Sequence, residues 1–389
     1  MTTNRHNSPV KLPIVAIYGL DLDVRNTSSL GIINLTRRLI EAMSHCPPPG
    51  YKVVLLVNEK SVKDLVPLVL PSWITAYVVQ CHCSGILSRL WADQVLAGYY
   101  AGKIRAAVVH FPKGFVPVWG IRGARIVTTI HDTIVFYYAR NYPRWFPVIK
   151  IKYFCWMTLC ALRSAARVLT DSTFSRDELV RLYPSAASKT EVVLFGAGVV
   201  ERVFGQLTER HGLMVLGSLF PHKATYQTLR LLNDYAVHKG LTAMEVVITG
   251  LPQWPEAWGQ TPDRLALSFR GRVSDIEMAK LYGESLALVL LSEIEGLGLP
   301  AIESYAAGTP VCYRASTSLA EVLAGVPGGW DGSNKESFFK ALEEALSLPR
   351  EEISRIRQSL SEKFDWERAA KRVLAVYAEE LRAAGADYA

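Results

Sequence analysis

The segment between residues 290 and 311 contains closely spaced glutamates and glycines. Glu295 and Glu303 are separated by seven residues, and Gly296 and Gly298 follow the first of them. Backbone N–H groups beside glycine can approach a ligand closely, and such groups suit phosphate oxygens. Carboxylates accept hydrogen bonds from the hydroxyls of a sugar or a ribose. The segment therefore carries donors for a diphosphate and acceptors for sugar hydroxyls.

A strand, a loop and a helix would have to position these groups. The apolar residues 286–291 predict a buried strand of a parallel sheet. Pro300 is typical of the first residue of a helix, and Gly308 is typical of a helix end. The N-terminus of such a helix favours an anion. An ordinary corner of an α/β protein uses glycine and proline in the same way, so these features alone leave both interpretations open.

Length and composition bound the possible classes of protein. A chain of 389 residues is expected to form about two domains, and half of its residues are hydrophobic, which excludes wholesale disorder. The net charge of +7 and the pI near 9.0 favour anionic partners such as nucleotides, lipid phosphates or nucleic acid. Residues 154–162 are too short an apolar run to span a membrane. The first apolar run begins only at Leu12 and does not resemble a signal peptide, so we expect a cytoplasmic location.

The cysteines indicate neither a disulfide framework nor a zinc site. The six lie at positions 46, 81, 83, 155, 160 and 312, without paired spacing. Cys81-His82-Cys83 could contribute to a metal site, but the same tripeptide is compatible with an ordinary strand end. We therefore predict no metal site.

Apolar runs alternate with helical patterns along the whole chain. Strands are predicted at residues 14–18, 53–57, 76–80, 106–110, 125–130, 191–195, 213–217, 246–249, 286–291 and 311–313. This alternation predicts doubly wound parallel sheets, in which ligands bind beyond the carboxyl ends of the strands. His110 and the pair His131-Asp132 lie at such ends, where a histidine is either structural or functional. The polar residues 201–212 are the predicted linker between two domains.

Residues 137–156 combine aromatic and basic side chains. Rings at the depth of lipid headgroups, with cations on anionic lipid, would suit a membrane surface. A helix that packs its apolar face into the core and exposes its charges would have the same composition. Both interpretations remain open from the sequence.

The segment E-G-L-G-L-P-A-I-E-S-Y-A-A-G-T-P-V resembles the E-x7-E motif of the family 4 retaining glycosyltransferases, which have the GT-B fold. The resemblance implies that Glu295 contacts the donor sugar and that Glu303 contacts the nucleoside ribose. The amides of the intervening residues and the helix N-terminus would then bind the diphosphate. These amides belong to Gly296, Leu297, Gly298 and Leu299.

Other segments carry the same resemblance. V-L-G-S-L-F-P-H-K resembles the phosphate-contacting loop of the family, which implies that Lys223 reaches the diphosphate; Ser218 stands where many relatives have an arginine. F-R-G-R-V-S-D implies that the backbone of Arg272 and Val273 holds the nucleobase. V-T-T-I-H-D-T implies that His131 reaches the sugar in the cleft. The catalytic residues implied are Glu295, His131 and Lys223.

The resemblance implies two Rossmann-like domains that face each other across a cleft. Residues 1–205 would form the acceptor-binding domain, completed by a C-terminal helix at 372–389, and residues 206–371 would bind the donor. The implied reaction moves a hexose from a GDP- or UDP-sugar to a glycan, lipid-linked or small-molecule acceptor, with retention, by front-face attack. It needs neither a cofactor nor a metal. The form G-S-x-x-P-H-K is similar to that of bacterial mannosyltransferases making surface polysaccharides, which favours GDP-mannose.

Three alternatives follow from the same features. A GT-B epimerase or phosphorylase would share the fold, although the E-x7-E pattern favours transfer. A nucleic-acid-binding protein would fit the basic pI, but the chain lacks helix-turn-helix, zinc or RNP-type signatures, so we expect no nucleic-acid partner. Asp21 and Asp23 resemble the D-x-D metal motif of the other major glycosyltransferase fold, yet their position directly after a first strand favours a loop role. The basic, aromatic segment 137–156 would allow peripheral contact with the anionic inner face of the plasma membrane.

Overall fold

A computed structural model of the chain describes residues 12–22, 30–47, 50–81, 83, 85–196 and 209–385. The strands, in chain order, are β1 Ile14–Tyr18, β2 Lys52–Asn58, β3 Ile74–Val79, β4 Ala106–Phe111, β5 Arg125–Thr129, β6 Arg167–Thr170, β7 Thr190–Val192, β8 Leu213–Leu216, β9 Met244–Thr249, β10 Leu265–Gly271, β11 Ala287–Leu290, β12 Val311–Arg314 and β13 Gly329–Trp330. They form two sheets. One has the order β3-β2-β1-β4-β5-β6-β7 and the other β10-β9-β8-β11-β12-β13.

Helices connect the strands and cover both sheets. Those of the first half are α1 Leu30–Ser44, α2 Ser61–Leu65, α3 Ile86–Trp91, α4 Ala97–Lys103, α5 Ile134–Asn141, α6 Val148–Ser164 and α7 Thr173–Leu182, with a π-helical turn at Ala92–Leu96. Those of the second half are α8 Thr225–His238, α9 Asp275–Glu284, α10 Leu299–Ala306, α11 Thr317–Val322, α12 Lys335–Leu346, α13 Arg350–Lys363 and α14 Trp366–Ala383. Short 3₁₀ turns lie at Pro184–Lys189, Pro221–Lys223 and Glu256–Trp258.

All strand pairs in both sheets are parallel, as the uninterrupted apolar runs predict. The central strand β11, for example, has no exposed residue. In each sheet the strand order reverses beside the first strand of the domain, β1 or β8, and the crevice at this reversal is where doubly wound sheets bind ligands. The predicted fold class, two Rossmann-like domains facing each other, is confirmed.

The last helix returns to the first domain. It begins at Trp366 rather than at residue 372, and it packs against α1 and the first sheet. The Tyr51 hydroxyl donates a hydrogen bond of 2.7 Å to the carbonyl of Leu374. A Cβ on Gly196 would lie 2.4 Å from the indole of Trp366, so a glycine is required where the chain leaves the first domain. Residues 201–208 of the predicted linker lie outside the described residues.

His110 lies inside this contact between sheet and helix. Its ring nitrogens lie 2.6 Å from the Tyr377 hydroxyl and 2.8 Å from the Thr129 hydroxyl. Burial, together with the nearby His131, lowers the pKa of His110 to about 3. Of the two roles open from the sequence, the structural one therefore fits His110.

Candidate active site

A cavity of about 890 Å³ lies between the two domains. Its wall in the second domain is built from the loops that follow β8, β9 and β10, from the end of β11, and from helices α9 and α10. The first domain contributes the inner face of α1, and α14 contributes one indole. These residues are Leu30, Asn34, Leu35 and Arg38 of α1 and Trp366 of α14, and Gly196, which follows β7, also lies on the wall. Ligand sites of drug-sized molecules have volumes of this order, roughly 300–1,000 Å³.

Helix α10 begins at the cavity, directly after a glycine in the left-handed conformation. Gly298 has φ +86° and precedes the first helical residue, Leu299, so the helix starts one residue before Pro300. A Cβ on Gly298 would lie 2.6 Å from the Leu319 side chain. At the other end, Gly308 has φ +69°, which agrees with its predicted place at the helix end.

Gly296 lets the motif loop touch the first domain. A Cβ there would lie 2.7 Å from the carbonyl oxygen of His131. Of the predicted phosphate-binding amides, only that of Leu299 belongs to a residue on the cavity wall, whereas Gly296, Leu297 and Gly298 are not part of the lining.

Lys223 and Glu295 form an ion pair beside the cavity. The Lys223 Nζ lies 2.7 Å from Glu295 Oε1, and Glu295 is only 7% exposed. Lys223 lines the cavity, whereas Glu295 is not part of the lining. The residue after the lysine, Ala224, has φ +50°, a left-handed conformation that non-glycine residues rarely adopt. The Ser318 hydroxyl holds the loop by donating to the carbonyl of Glu295 at 2.8 Å.

Glu303 lies one helical turn inside α10 and faces the cavity. Burial raises the pKa of its carboxyl to about 7, although the hydroxyl of Tyr282 opposes this by donating a hydrogen bond of 3.3 Å. Arg38 of the first domain also favours the ionised form from across the cavity. At neutral pH the carboxyl of the unliganded protein is therefore close to half protonated.

Ser218, Arg272 and Val273 lie on the same wall. The Ser218 hydroxyl accepts a hydrogen bond of 3.1 Å from the Phe220 amide and so shapes the turn that carries Lys223. Arg272 and Val273 follow β10 and precede Ser274, whose hydroxyl accepts a hydrogen bond of 3.2 Å from the Glu277 amide and caps α9.

His131 lies on the wall of a second, smaller cavity of about 330 Å³ rather than on that of the larger one. Its Nδ1 is 2.7 Å from Asp171 Oδ2 and its Nε2 is 2.7 Å from the carbonyl of Pro112. Both partners are acceptors, so both ring nitrogens donate and the ring is an imidazolium. Burial alone would lower the pKa of His131, but Asp171 outweighs it and the pKa is raised. Neither nitrogen is therefore free to reach a sugar in this conformation.

The smaller cavity is aromatic and lies mainly in the first domain. Rings from several elements line it: Phe115, Phe136, Tyr138, Phe146, Phe154 and Phe220. Two cations, Lys113 and Lys150, also lie on its wall. Phe220 and His222 come from the second domain, and His222 is followed by Lys223 of the larger cavity. The short turn Pro221–Lys223 therefore has one side chain in each cavity.

Several wall residues were not predicted from the sequence. Arg38, Asn34, Tyr282 and Trp366 all face the larger cavity. Arg38 and its neighbour Arg37 lie 3.8 and 3.0 Å from Asp275 of the second domain. Nothing in the spacing of α1 indicates that another domain covers this face.

The part of the chain that the structure describes contains no group of three or more His, Cys, Asp or Glu side chains suited to a metal ion. Asp21 is paired with Lys113 at 2.5 Å, while Asp23 and His82 lie outside the described residues. The Sγ atoms of Cys81 and Cys83 are 3.7 Å apart. Within the described ranges, no helix is long and apolar enough to cross a membrane.

Two family models match the chain, one in each domain. Glycosyltransferase Family 4 matches residues 36–196, and Glycosyl transferases group 1 matches residues 264–363. The chain belongs to the family 4, group 1 glycosyltransferases. The family membership inferred from the E-x7-E segment is thereby confirmed, and the second match contains both of its glutamates.

Two curated relatives of this glycosyltransferase chain are O-antigen chain mannosyltransferases by their names. It is 28% identical over 235 residues to the O-antigen chain mannosyltransferase B of Escherichia coli, covering 56% of this chain and 59% of that protein. It is 25% identical over 225 residues to the O-antigen chain mannosyltransferase RfbU of Salmonella typhimurium, covering 57% and 61%. The matches thus span about three fifths of the length of these relatives.

Solved structures confirm the GT-B fold over nearly the whole chain. A glycosyltransferase from Rickettsia africae superposes with a TM-score of 0.62 at 16% identity, covering 96% of this chain and 99% of that one. WaaG, a glycosyltransferase involved in lipopolysaccharide biosynthesis, gives a TM-score of 0.63 at 13% identity, covering 93% and 99%. At these identities the likeness concerns the fold alone.

Proposed function

We propose that the protein is a retaining glycosyltransferase that moves a hexose, with mannose as the first candidate, from a nucleoside diphosphate sugar to a glycan or lipid-linked acceptor. The observation that carries this proposal is the larger cavity. Its wall brings together Lys223, Glu303 and the N-terminal end of α10, and Glu295 is paired with Lys223. These groups match the charge and hydroxyls of one nucleotide sugar.

In the proposed complex, Glu303 accepts hydrogen bonds from the ribose hydroxyls, and the backbone at Arg272 and Val273 contacts the base. The diphosphate lies between Lys223 and the amides at the start of α10, where a fixed cation and the helix dipole stabilise negative charge. Lys223 then exchanges its partner: it leaves Glu295 and pairs with the diphosphate. This exchange frees the Glu295 carboxylate to accept hydrogen bonds from the donor sugar.

The proposed transfer breaks the bond between the anomeric carbon and the β-phosphate oxygen. The acceptor hydroxyl attacks from the same face, and its proton passes to the departing phosphate oxygen, so configuration is retained. Negative charge grows on the nucleoside diphosphate, and Lys223 and the α10 amides stabilise it without a metal ion. Closure of the domains around the cavity excludes water, which would otherwise compete as acceptor.

The aromatic cavity beside His131 is the proposed acceptor side. Aromatic faces suit sugar rings or lipid, and the two lysines suit a phosphate on the acceptor. The names of the relatives support mannose and a surface polysaccharide.

A peripheral membrane contact is also part of the proposal. Trp145, Ile149 and Trp156 are 44%, 76% and 48% exposed, and they lie beside Lys150 and Lys152 on or next to α6.

A screen of sugar nucleotides with short glycan and lipid-phosphate acceptors tests this function. We expect GDP-mannose to bind and to release GDP as an α-linked product forms, with the anomer read by NMR. A donor that changes its sugar without releasing nucleotide would indicate an epimerase, and phosphate-dependent cleavage of a glycan would indicate a phosphorylase. Salt-sensitive binding of DNA or RNA with no binding of any sugar nucleotide would refute the proposal.

A further inference from the structure

Three tyrosines of the first domain reach across to the second domain at the two loops that carry Lys223 and Glu295. Tyr137 and Tyr138 lie on α5, and Tyr142 directly follows it. The hydroxyls of Tyr137 and Tyr142 both donate to Glu293 Oε2, at 2.9 and 2.6 Å. One carboxylate oxygen of the second domain is therefore held by two hydroxyls of the first.

The third tyrosine holds the other loop. The Tyr138 hydroxyl lies 2.7 Å from His222 Nδ1, and both residues are buried. Burial, with Lys223 beside it, lowers the pKa of His222 to about 4, so the imidazole is neutral near pH 7. Aromatic rings enclose this contact: Phe146 is 5.0 Å from the Tyr138 ring and Phe220 is 6.0 Å from the His222 ring.

The two loops are also joined to each other. The amide of Glu293 donates to the carbonyl of His222 at 2.7 Å. His222 immediately precedes Lys223, and Glu293 lies two residues before Glu295. The residues held by the tyrosines are thus the sequence neighbours of both members of the Lys223–Glu295 pair.

We propose that Tyr137, Tyr138 and Tyr142, with Glu293 and His222, form a tyrosine latch that positions Lys223 and Glu295 for transfer when the domains are closed. The inference rests on the proposed function, and it assigns to these tyrosines a positioning role. The nucleotide contacts the second domain chiefly, whereas the latch exists only between the domains. The latch should therefore set the rate of transfer and leave the affinity for a nucleoside diphosphate nearly unchanged.

Other contacts keep the domains together without the latch. Glu321 of the second domain accepts the amides of Thr173 and Phe174 at 3.0 and 2.9 Å, and the Ser172 hydroxyl donates to the carbonyl of Gly296 at 2.6 Å. Arg37 of α1 pairs with Asp275 of α9 at 3.0 Å. Loss of the tyrosine hydroxyls therefore leaves the two domains attached, which makes their effect measurable.

The test compares the double variant Tyr137→Phe/Tyr142→Phe and the single variant Tyr138→Phe with two controls. Tyr183→Phe removes a hydroxyl whose bond, 3.2 Å to the carbonyl of Cys155, lies within the first domain. Arg37→Gln removes a contact between the domains, to Asp275, that involves neither of the two loops. We expect kcat to fall about tenfold or more in the latch variants, while the Kd for GDP changes less than about threefold, as for an interaction made only in the reacting complex.

The two controls show whether the loss of kcat comes from the changed positions of Lys223 and Glu295. Tyr183→Phe should retain wild-type kcat, and Arg37→Gln should lose much less kcat than the latch variants. An unchanged kcat in the double variant would overturn the latch. An equal loss of kcat in Arg37→Gln would also overturn it, as would a loss of kcat matched by an equal loss of GDP affinity.

The latch can also be judged apart from glycosyl transfer. If the wild-type protein turns over no sugar nucleotide, the proposed function fails, and hydrogen–deuterium exchange of the two loops that carry Lys223 and Glu295 decides the latch. We expect the amides of these loops to exchange faster in the latch variants than in wild type, with Tyr183→Phe unchanged. Identical exchange in all variants would overturn the latch in that case.

Discussion

Replacing Glu303 by glutamine removes a carboxyl whose ionisation is linked to donor binding. Because burial raises its pKa to about 7, roughly half of the unliganded protein must release a proton at pH 7 before Glu303 can accept ribose hydroxyls as a carboxylate. The apparent Kd for GDP is then the Kd of the protein with ionised Glu303, multiplied by 1 + 10^(pKa − pH). This factor is about 11 at pH 6, about 2 at pH 7 and close to 1 at pH 8.

We therefore expect wild-type affinity for GDP to rise about tenfold from pH 6 to pH 8 through Glu303. The β-phosphate of GDP titrates in the same range, but Glu303→Gln retains that contribution, so the difference between the two profiles isolates the carboxyl. At pH 8 the variant should bind GDP about ten- to a hundredfold more weakly, since a charge-assisted hydrogen bond contributes about 1.5–3 kcal/mol.

Isothermal titration calorimetry in two buffers of different ionisation enthalpy measures both effects. Binding at pH 7 should release about half a proton from Glu303 in wild type, beyond any release seen in Glu303→Gln. Glu336→Gln, on the exposed surface of α12, is the matched control and should behave as wild type. Parallel pH profiles for wild type and Glu303→Gln, or proton uptake attributable to Glu303, would refute the reasoning.

The stability of the unliganded protein should depend on pH in the opposite sense. The folded pKa of Glu303 lies above its ordinary value of 4.5, so the stability it contributes is complete below about pH 4.5 and is lost as pH rises through about 7. The melting temperature of wild type should therefore fall relative to that of Glu303→Gln between pH 5 and pH 8.

Three further outcomes are expected. Glu295→Gln should lower kcat about tenfold or more, because in the proposed complex the carboxylate would face the reacting sugar. GDP should bind at least as tightly as to wild type, since Lys223 loses its 2.7 Å partner, and an equal weakening of GDP binding in Glu295→Gln and Glu303→Gln would contradict these roles. Transfer should survive EDTA, and complete loss restored by manganese would move attention to Asp21 and Asp23. Co-sedimentation with anionic vesicles should weaken as salt is added, and equal recovery with neutral vesicles would leave the exposed rings of α6 without a membrane role.

The local parts of the site could be predicted from the sequence because they lie on single strand–loop–helix units. Gly298, Glu303 and Gly308 share one such unit, and the Ser274 cap needs only its own first turn. Strand positions followed from apolar runs, since parallel strands are buried on both faces. These features depend on neighbours within a few residues.

The parts that escaped prediction are contacts between distant residues. Tyr137 and Glu293 are 156 residues apart in the chain, and Lys223 and Glu295 are 72 apart. Residues 137–156 proved to be neither one helix nor one surface: Tyr138 is buried against the second domain, while Ile149 is exposed. The hydrophobic periodicity of one segment gives no information about where a distant domain packs against it.

A crystal structure of the protein with GDP tests the account most directly. We expect the ribose hydroxyls within hydrogen-bonding distance of Glu303 and the β-phosphate on Lys223 and the Leu299 amide. The Lys223–Glu295 pair, 2.7 Å in the unliganded protein, should then be broken, with the tyrosine latch still closed. A nucleotide bound outside this cavity, or a Lys223 that remains on Glu295 with the diphosphate elsewhere, would contradict the account.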